Sequence, residues 1–140
     1  MKASQITNNP YLLFSPFLVI YFVIVLIFKT DGCTGDETLY LSYAENLIQR
    51  SLTRPVSYFN LGNGPGYPII LIPFVALRLP LICITLLNAV FYYLSIILLF
   101  KVLEHFISFR KTLFFSLFWA LYVNSYEFIP SILPETFSVF

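Results

Sequence analysis

The chain has 140 residues, 59% of them hydrophobic and 11% charged, with a mean hydropathy of +0.83. Soluble domains carry about 25% charged residues, and a chain this short cannot bury so large an apolar excess, so composition argues against a water-soluble globule and for an integral, multi-pass membrane protein. A net charge of +1 offers no basic surface for nucleic acid.

Tyr11 to Phe28 is an uncharged run of 18 residues, enough to cross most of a bilayer hydrocarbon core as a helix. Pro16 falls in its first turns, where a lost backbone bond matters least. The start, MKASQITNNPYLLFSPF, lacks a strongly basic region and no A-x-A site follows the run, which predicts an uncleaved first span rather than a signal peptide.

Residues 29–80 hold the long polar stretch, an external loop. It opens on KTDGCTGD, a turn sequence. DETLYLSYAENLIQRSL follows with helical periodicity: Tyr40, Tyr43, Ala44, Leu47 and Ile48 on one face, Ser42, Glu45, Asn46, Gln49 and Arg50 on the other. Such a helix is expected to lie flat on the membrane. After a Gly/Pro-rich loop, Tyr67 to Leu77 is apolar but short, with Pro68 and Pro73 inside, so a re-entrant or interfacial helix is expected. A second span is expected over Leu81–Leu103, with Asn88 as its one strongly polar interruption and interhelical hydrogen bonding as its expected role. Lys101, Glu104, His105, Arg110 and Lys111 make a polar connector, in which His105 is expected to be solvated. A third span is expected from Thr112 to Val123, reaching Phe128.

The expected fold class is therefore an all-α membrane protein of about three transmembrane helices, with an amphipathic surface helix and a short re-entrant or interfacial helix in the first external loop. Residues 1–140 read as one membrane unit. Lys and Arg divide evenly between the two sides, so orientation is left open, but Asp36, Glu37 and Glu135 share one side in either orientation. Cys33 and Cys83 form neither a disulfide framework nor a metal-site spacing.

An apolar span leads to Asp36-Glu37 with Tyr40 and an amphipathic helix. A G-P-x-Y-P element follows at Gly64–Pro68, then R-x-P at Arg78–Pro80, L-N-A within the second long helix, and P-x-x-x-x-E-T-F from Pro130 to Phe137. This order resembles the amino-terminal part of a GT-C membrane glycosyltransferase, similar to the dolichyl-phosphate-mannose protein mannosyltransferases and the bacterial aminoarabinose transferases. The resemblance covers Tyr11 to Phe140. It implies a plasma- or inner-membrane protein that moves a sugar from a polyprenyl-phosphate donor to an acceptor on the extracytoplasmic face. Enzymes of this family have many more spans, so a fragment of a larger enzyme is expected, and the abrupt close at Ser138-Val139-Phe140 fits that expectation.

By this resemblance Asp36 is the base or acceptor-orienting residue, Glu37 supports it, and Glu135 faces the same cavity. A carboxylate at the water–lipid boundary suits the role, because transfer to a hydroxyl or amine needs a base beside the acceptor. The same two residues also suit a helix start, Asp36 as cap and Glu37 as a charge against the dipole, and Glu135 suits a first helical turn capped by Ser131. Arg78, with Arg54 and Arg50, is expected to neutralise the donor phosphate; snorkelling to the headgroups is the simpler reading of Arg50 and Arg54. Tyr67 is expected to line the site. A divalent metal stays open as cofactor. The alternative is a small multi-span protein without chemistry, an accessory or assembly subunit whose aromatic spans pack on a partner membrane protein and on lipid.

Overall fold

The computed structural model describes residues 9–29, 32, 33, 35–48 and 66–134. Among them every regular element is a helix: α1 (Pro10–Phe28), α2 (Asp36–Ile48), α3 (Gly66–Ala76), α4 (Ile82–Glu104), α5 (Phe109–Ala120) and α6 (Val123–Phe128).

α1 begins where the sequence gives it a start. The Asn9 side chain accepts from the Tyr11 N–H at 3.0 Å, and Pro10 occupies the first helical position, where no N–H is needed. Pro16 leaves the Leu12 carbonyl without its usual N–H donor. The Ser15 hydroxyl donates to that carbonyl at 2.9 Å, so the helix runs through the proline unbroken. Only a narrow stripe of α1, Phe14, Tyr21 and Val25, is buried, while apolar residues such as Leu26, Ile27 and Phe28 face outward. α1 and α4 are each long and apolar enough to cross a membrane.

α4 is the centre of the bundle. α1 and α5 both pack along it, and α3 touches its start. Phe14 meets Phe100 and Tyr21 meets Tyr92 edge-on or tilted, with ring centroids 5.5 and 5.0 Å apart, so α1 and α4 run antiparallel. The Tyr93 hydroxyl donates to the Tyr11 carbonyl, and Lys101 Nζ lies 3.1 Å from the Tyr11 hydroxyl. α5 faces the core with Thr112, Ser116 and Ala120, small residues four apart that let two helices approach closely.

The third expected span is not one helix. α5 has 12 residues, about 18 Å at 1.5 Å per residue, well short of a hydrocarbon core of about 30 Å. Leu121 and Tyr122 break it before α6 starts. Neither glycine nor proline causes the break. Tyr122 N–H bonds Trp119 O at 3.1 Å, and hydroxyls from other elements add to the last carbonyls. Tyr92 donates to Trp119 O at 2.7 Å, and Tyr21 and Tyr126 both donate to Ala120 O, at 2.8 and 2.9 Å. The Trp119 indole N–H in turn reaches the Ser95 hydroxyl at 3.2 Å.

α2 and α3 pack on each other and form a second apolar cluster with Ile84 of α4 and Ile132 beyond α6. The inner face of α2 is Glu37, Tyr40 and Ala44, with Tyr43 half-buried and Ile48 exposed. This face is narrower than the periodicity suggests and is turned toward the helix start, because it meets one short helix.

The shared acceptor at the break gives a test. Tyr21→Phe or Tyr126→Phe alone should cost under about 1 kcal/mol, since the other hydroxyl still serves Ala120 O. The double variant should cost about 1–3 kcal/mol, more than the two singles together, by thermal unfolding in detergent. Simple additivity would mean the carbonyl does not need these donors.

Candidate functional site

The chain's polar chemistry converges where the start of α2 meets the segment after α6. Gly35 sits at φ 57°, a left-handed turn that glycine adopts without strain, and α2 starts at the next residue. The Thr38 hydroxyl donates back to Gly35 O at 2.6 Å. Asp36 and Glu37 therefore occupy the first helical turn, where negative charge is favoured.

The two carboxylates have different surroundings. Asp36 is exposed, and among the described residues its side chain makes no hydrogen bond. Glu37 is buried, and its Oε1 accepts from the Ile132 backbone N–H at 2.7 Å. The carbonyl of the same peptide unit, Ser131 O, accepts from Asn88 Nδ2 at 2.7 Å. Asn88 is itself buried within α4. One peptide bond is thus held on its nitrogen side by α2 and on its oxygen side by α4. Asn88 joins α4 to an irregular segment rather than helix to helix as expected. A charged residue at Glu37 in register with Tyr40 and Ala44, and one carboxamide in the apolar α4, were the sequence signals for this clamp.

Beside Glu37 lies half-buried Cys33. Burial pushes its thiol up from the usual range, the Glu37 charge adds to this, and Lys29 opposes it. Tyr67 is buried in the α2–α3 contact, its ring edge-on to Tyr40 at 5.5 Å and 88°. It belongs to the packing between these helices.

Arg78 lies further along α2. Its cleft, about 220 Å³, is walled by Leu41, Phe74, Leu81 and Ile84 and has Glu45 as its other charged residue. Leu41 and Glu45 are five and nine positions beyond Asp36, about 8 and 14 Å along the helix axis, so the Arg78 cleft meets α2 at a place separate from Asp36. Arg78 ends α3 in a Schellman motif. Leu79 N–H bonds Phe74 O at 2.9 Å, Arg78 N–H bonds Val75 O at 3.1 Å, and Arg78 takes φ 52°, the position glycine usually fills. Pro80 then prevents further helix. His105 is exposed, as expected, with Nδ1 2.7 Å from Lys101 O. Arg50, Arg54, Gly64, Pro65 and Glu135 lie outside the described residues.

Among the described residues no three His, Cys, Asp or Glu side chains gather as a metal site. With Asp36 exposed and Glu37 buried against a backbone N–H, the adjacent pair does not present two carboxylates to one cation. Comparison of the chain with protein-family models, curated proteins and solved structures finds no match to any of them.

Replacing Glu37 by Ala should destabilise the protein by about 1–3 kcal/mol, because the Ile132 N–H loses its acceptor, whereas Glu37→Gln keeps an acceptor and should cost less. The Gln variant also removes one of the influences that raise the Cys33 pKa. More thiolate is then present at pH 7.5, and maleimide labelling of Cys33 should be faster than in the wild type. Equal rates would separate Cys33 from the Glu37 charge.

Proposed function

We propose that the chain is a GT-C type glycosyltransferase or a fragment of one, acting where a polyprenyl-phosphate-linked sugar meets an acceptor at the membrane surface. In this reading Asp36 activates the acceptor hydroxyl or amine as general base. The observation that carries it is the contrast between neighbours: Asp36 is exposed on a helical turn whose next residue, Glu37, is fixed by the Ile132 N–H. A base works best when its supporting turn is held rigid by other contacts. Glu37 then supports Asp36 by position and does not itself touch substrate.

The membrane arrangement follows from the same reading. α1 and α4 cross the bilayer, α2 and α3 sit at one end, and α5 with α6 and the residues after it make a broken third crossing. Phe109 packs on Phe100 at one end of α4, and Ile132 joins Ile84 near the other. From Ile84 to Phe100 α4 rises over 16 residue steps, about 24 Å, most of a hydrocarbon core. Irregular backbone is tolerated at membrane depth where its polar groups are satisfied within protein, and the tyrosine hydroxyls at Trp119 and Ala120 supply that.

One observation favours the non-enzymatic alternative. α5 and the start of α6 bear an open apolar groove of about 530 Å³ along Phe114, Phe118, Leu121 and Tyr122, a face suited to packing on further membrane helices.

Transfer of labelled sugar from polyprenyl-phosphate donors in proteoliposomes separates the two. A full-length enzyme carrying these residues should consume donor. Asp36→Asn should lower the rate by about 10²–10⁴-fold, the usual contribution of a general base, with unchanged thermal stability. Undiminished turnover in Asp36→Asn would remove Asp36 from the mechanism. No turnover by such a folded full-length protein would favour the accessory reading.

A further inference from the structure

The cleft at the α3–α4 corner combines features that sequence position alone does not unite. Its walls are apolar, formed by Leu41, Phe74, Leu81 and Ile84, and it holds one cation, Arg78, and one anion, Glu45, from different helices. Among the described residues the two charges form no ion pair with each other, and neither side chain has another charged partner. Both residues are exposed. Arg78 holds a left-handed backbone conformation that costs a residue with a Cβ about 1 kcal/mol relative to glycine. Leu77, 69% exposed, and Leu79, 39% exposed, flank it on the same corner. Exposed leucines on either side of an arginine belong at the boundary between hydrocarbon and headgroups, where apolar stems enter lipid and the charge stays at the phosphate level.

We infer that this cleft binds the headgroup of a zwitterionic aminophospholipid, of the phosphatidylethanolamine type, with the phosphate on Arg78, the ammonium on Glu45 and the upper acyl chain against the apolar wall. Guanidinium and phosphate make charge-assisted, bidentate hydrogen bonds, and a primary ammonium donates to a carboxylate in the same way. The charge pair distinguishes this lipid from phosphatidylglycerol, whose headgroup has no cation for Glu45. The site is distinct from Asp36 and does not require sugar transfer.

Native mass spectrometry of the detergent-purified full chain, titrated separately with short-chain phosphatidylethanolamine, short-chain phosphatidylglycerol, a polyprenyl phosphate and soluble phosphoethanolamine, tests it. Phosphatidylethanolamine should bind roughly tenfold more tightly than phosphatidylglycerol, the worth of one charge-assisted hydrogen bond. Glu45→Gln should erase that preference. Arg78→Gly should weaken binding of both phospholipids by roughly tenfold or more while raising the unfolding temperature, because glycine suits the Schellman position. A lower unfolding temperature would put Arg78 in a structural role and overturn the assignment. So would equal binding of the two phospholipids by the wild-type chain, or wild-type binding by both variants. Preference for the polyprenyl phosphate would make the cleft an anion site for a donor lipid. Equally tight binding of phosphoethanolamine would make it a site for a soluble ligand. Either result excludes the aminophospholipid.

Discussion

The peptide unit between Ser131 and Ile132 ties the two halves of the molecule together. Its oxygen is held by Asn88 from the central helix and its nitrogen by Glu37 from the short helix beyond the first long one. Without these partners a peptide group in irregular backbone, buried among Ile84, Leu71 and Ile132, would bear an unmet donor and acceptor, each costing about 1–3 kcal/mol. With them, α2 has a fixed rotation about its own axis. Glu37 points inward, and Asp36, one residue earlier and about 100° around the helix, is directed outward. The geometry at the start of α2 is therefore a consequence of a contact 95 residues away in sequence.

Much of the secondary structure is written in local patterns. The uncharged run after Asn9-Pro10 is a helix with the ends its residues suggest, and the long apolar segment after Pro80 is another. Asp36-Glu37 begin a helix as acidic residues at a first turn should. The short apolar segment with two prolines is helical through both, and its stop before Pro80 follows the ordinary rule for what comes after a helix.

What the sequence hides is tertiary in origin. Nothing between Phe109 and Phe128 breaks a helix locally, since the run has neither glycine nor proline, yet α5 stops at Ala120. The hydroxyl donors at the stop include Tyr21 and Tyr92, which periodicity shows only as large apolar residues and aromatic content suggests as interfacial anchors. The same blindness applies to the site. Residue types flagged Asp36, Glu37 and Arg78, but composition cannot say that Glu37 is buried on a backbone N–H or that Arg78 occupies a left-handed position. A motif identifies chemically able side chains, and only packing sorts them into those that face outward and those that hold the frame.

The tyrosine-capped end of α5 has a bearing on how the chain is assembled. Of the three hydroxyls at this boundary, Tyr126 belongs to the segment itself, while Tyr21 and Tyr92 reach it from α1 and α4. Residues 109–128 contain neither glycine nor proline, so the break between α5 and α6 leans on tertiary contacts rather than on a strong local breaker. α1 and α4 precede this segment in synthesis, so Tyr21 and Tyr92 await it when it arrives. The bend at Leu121-Tyr122 thus draws on donors from segments that are synthesised before it. An error in seating α1 against α4 would remove Tyr21 from Ala120 O and leave Tyr126 as the hydroxyl donor there. The order of emergence and the order of dependence coincide.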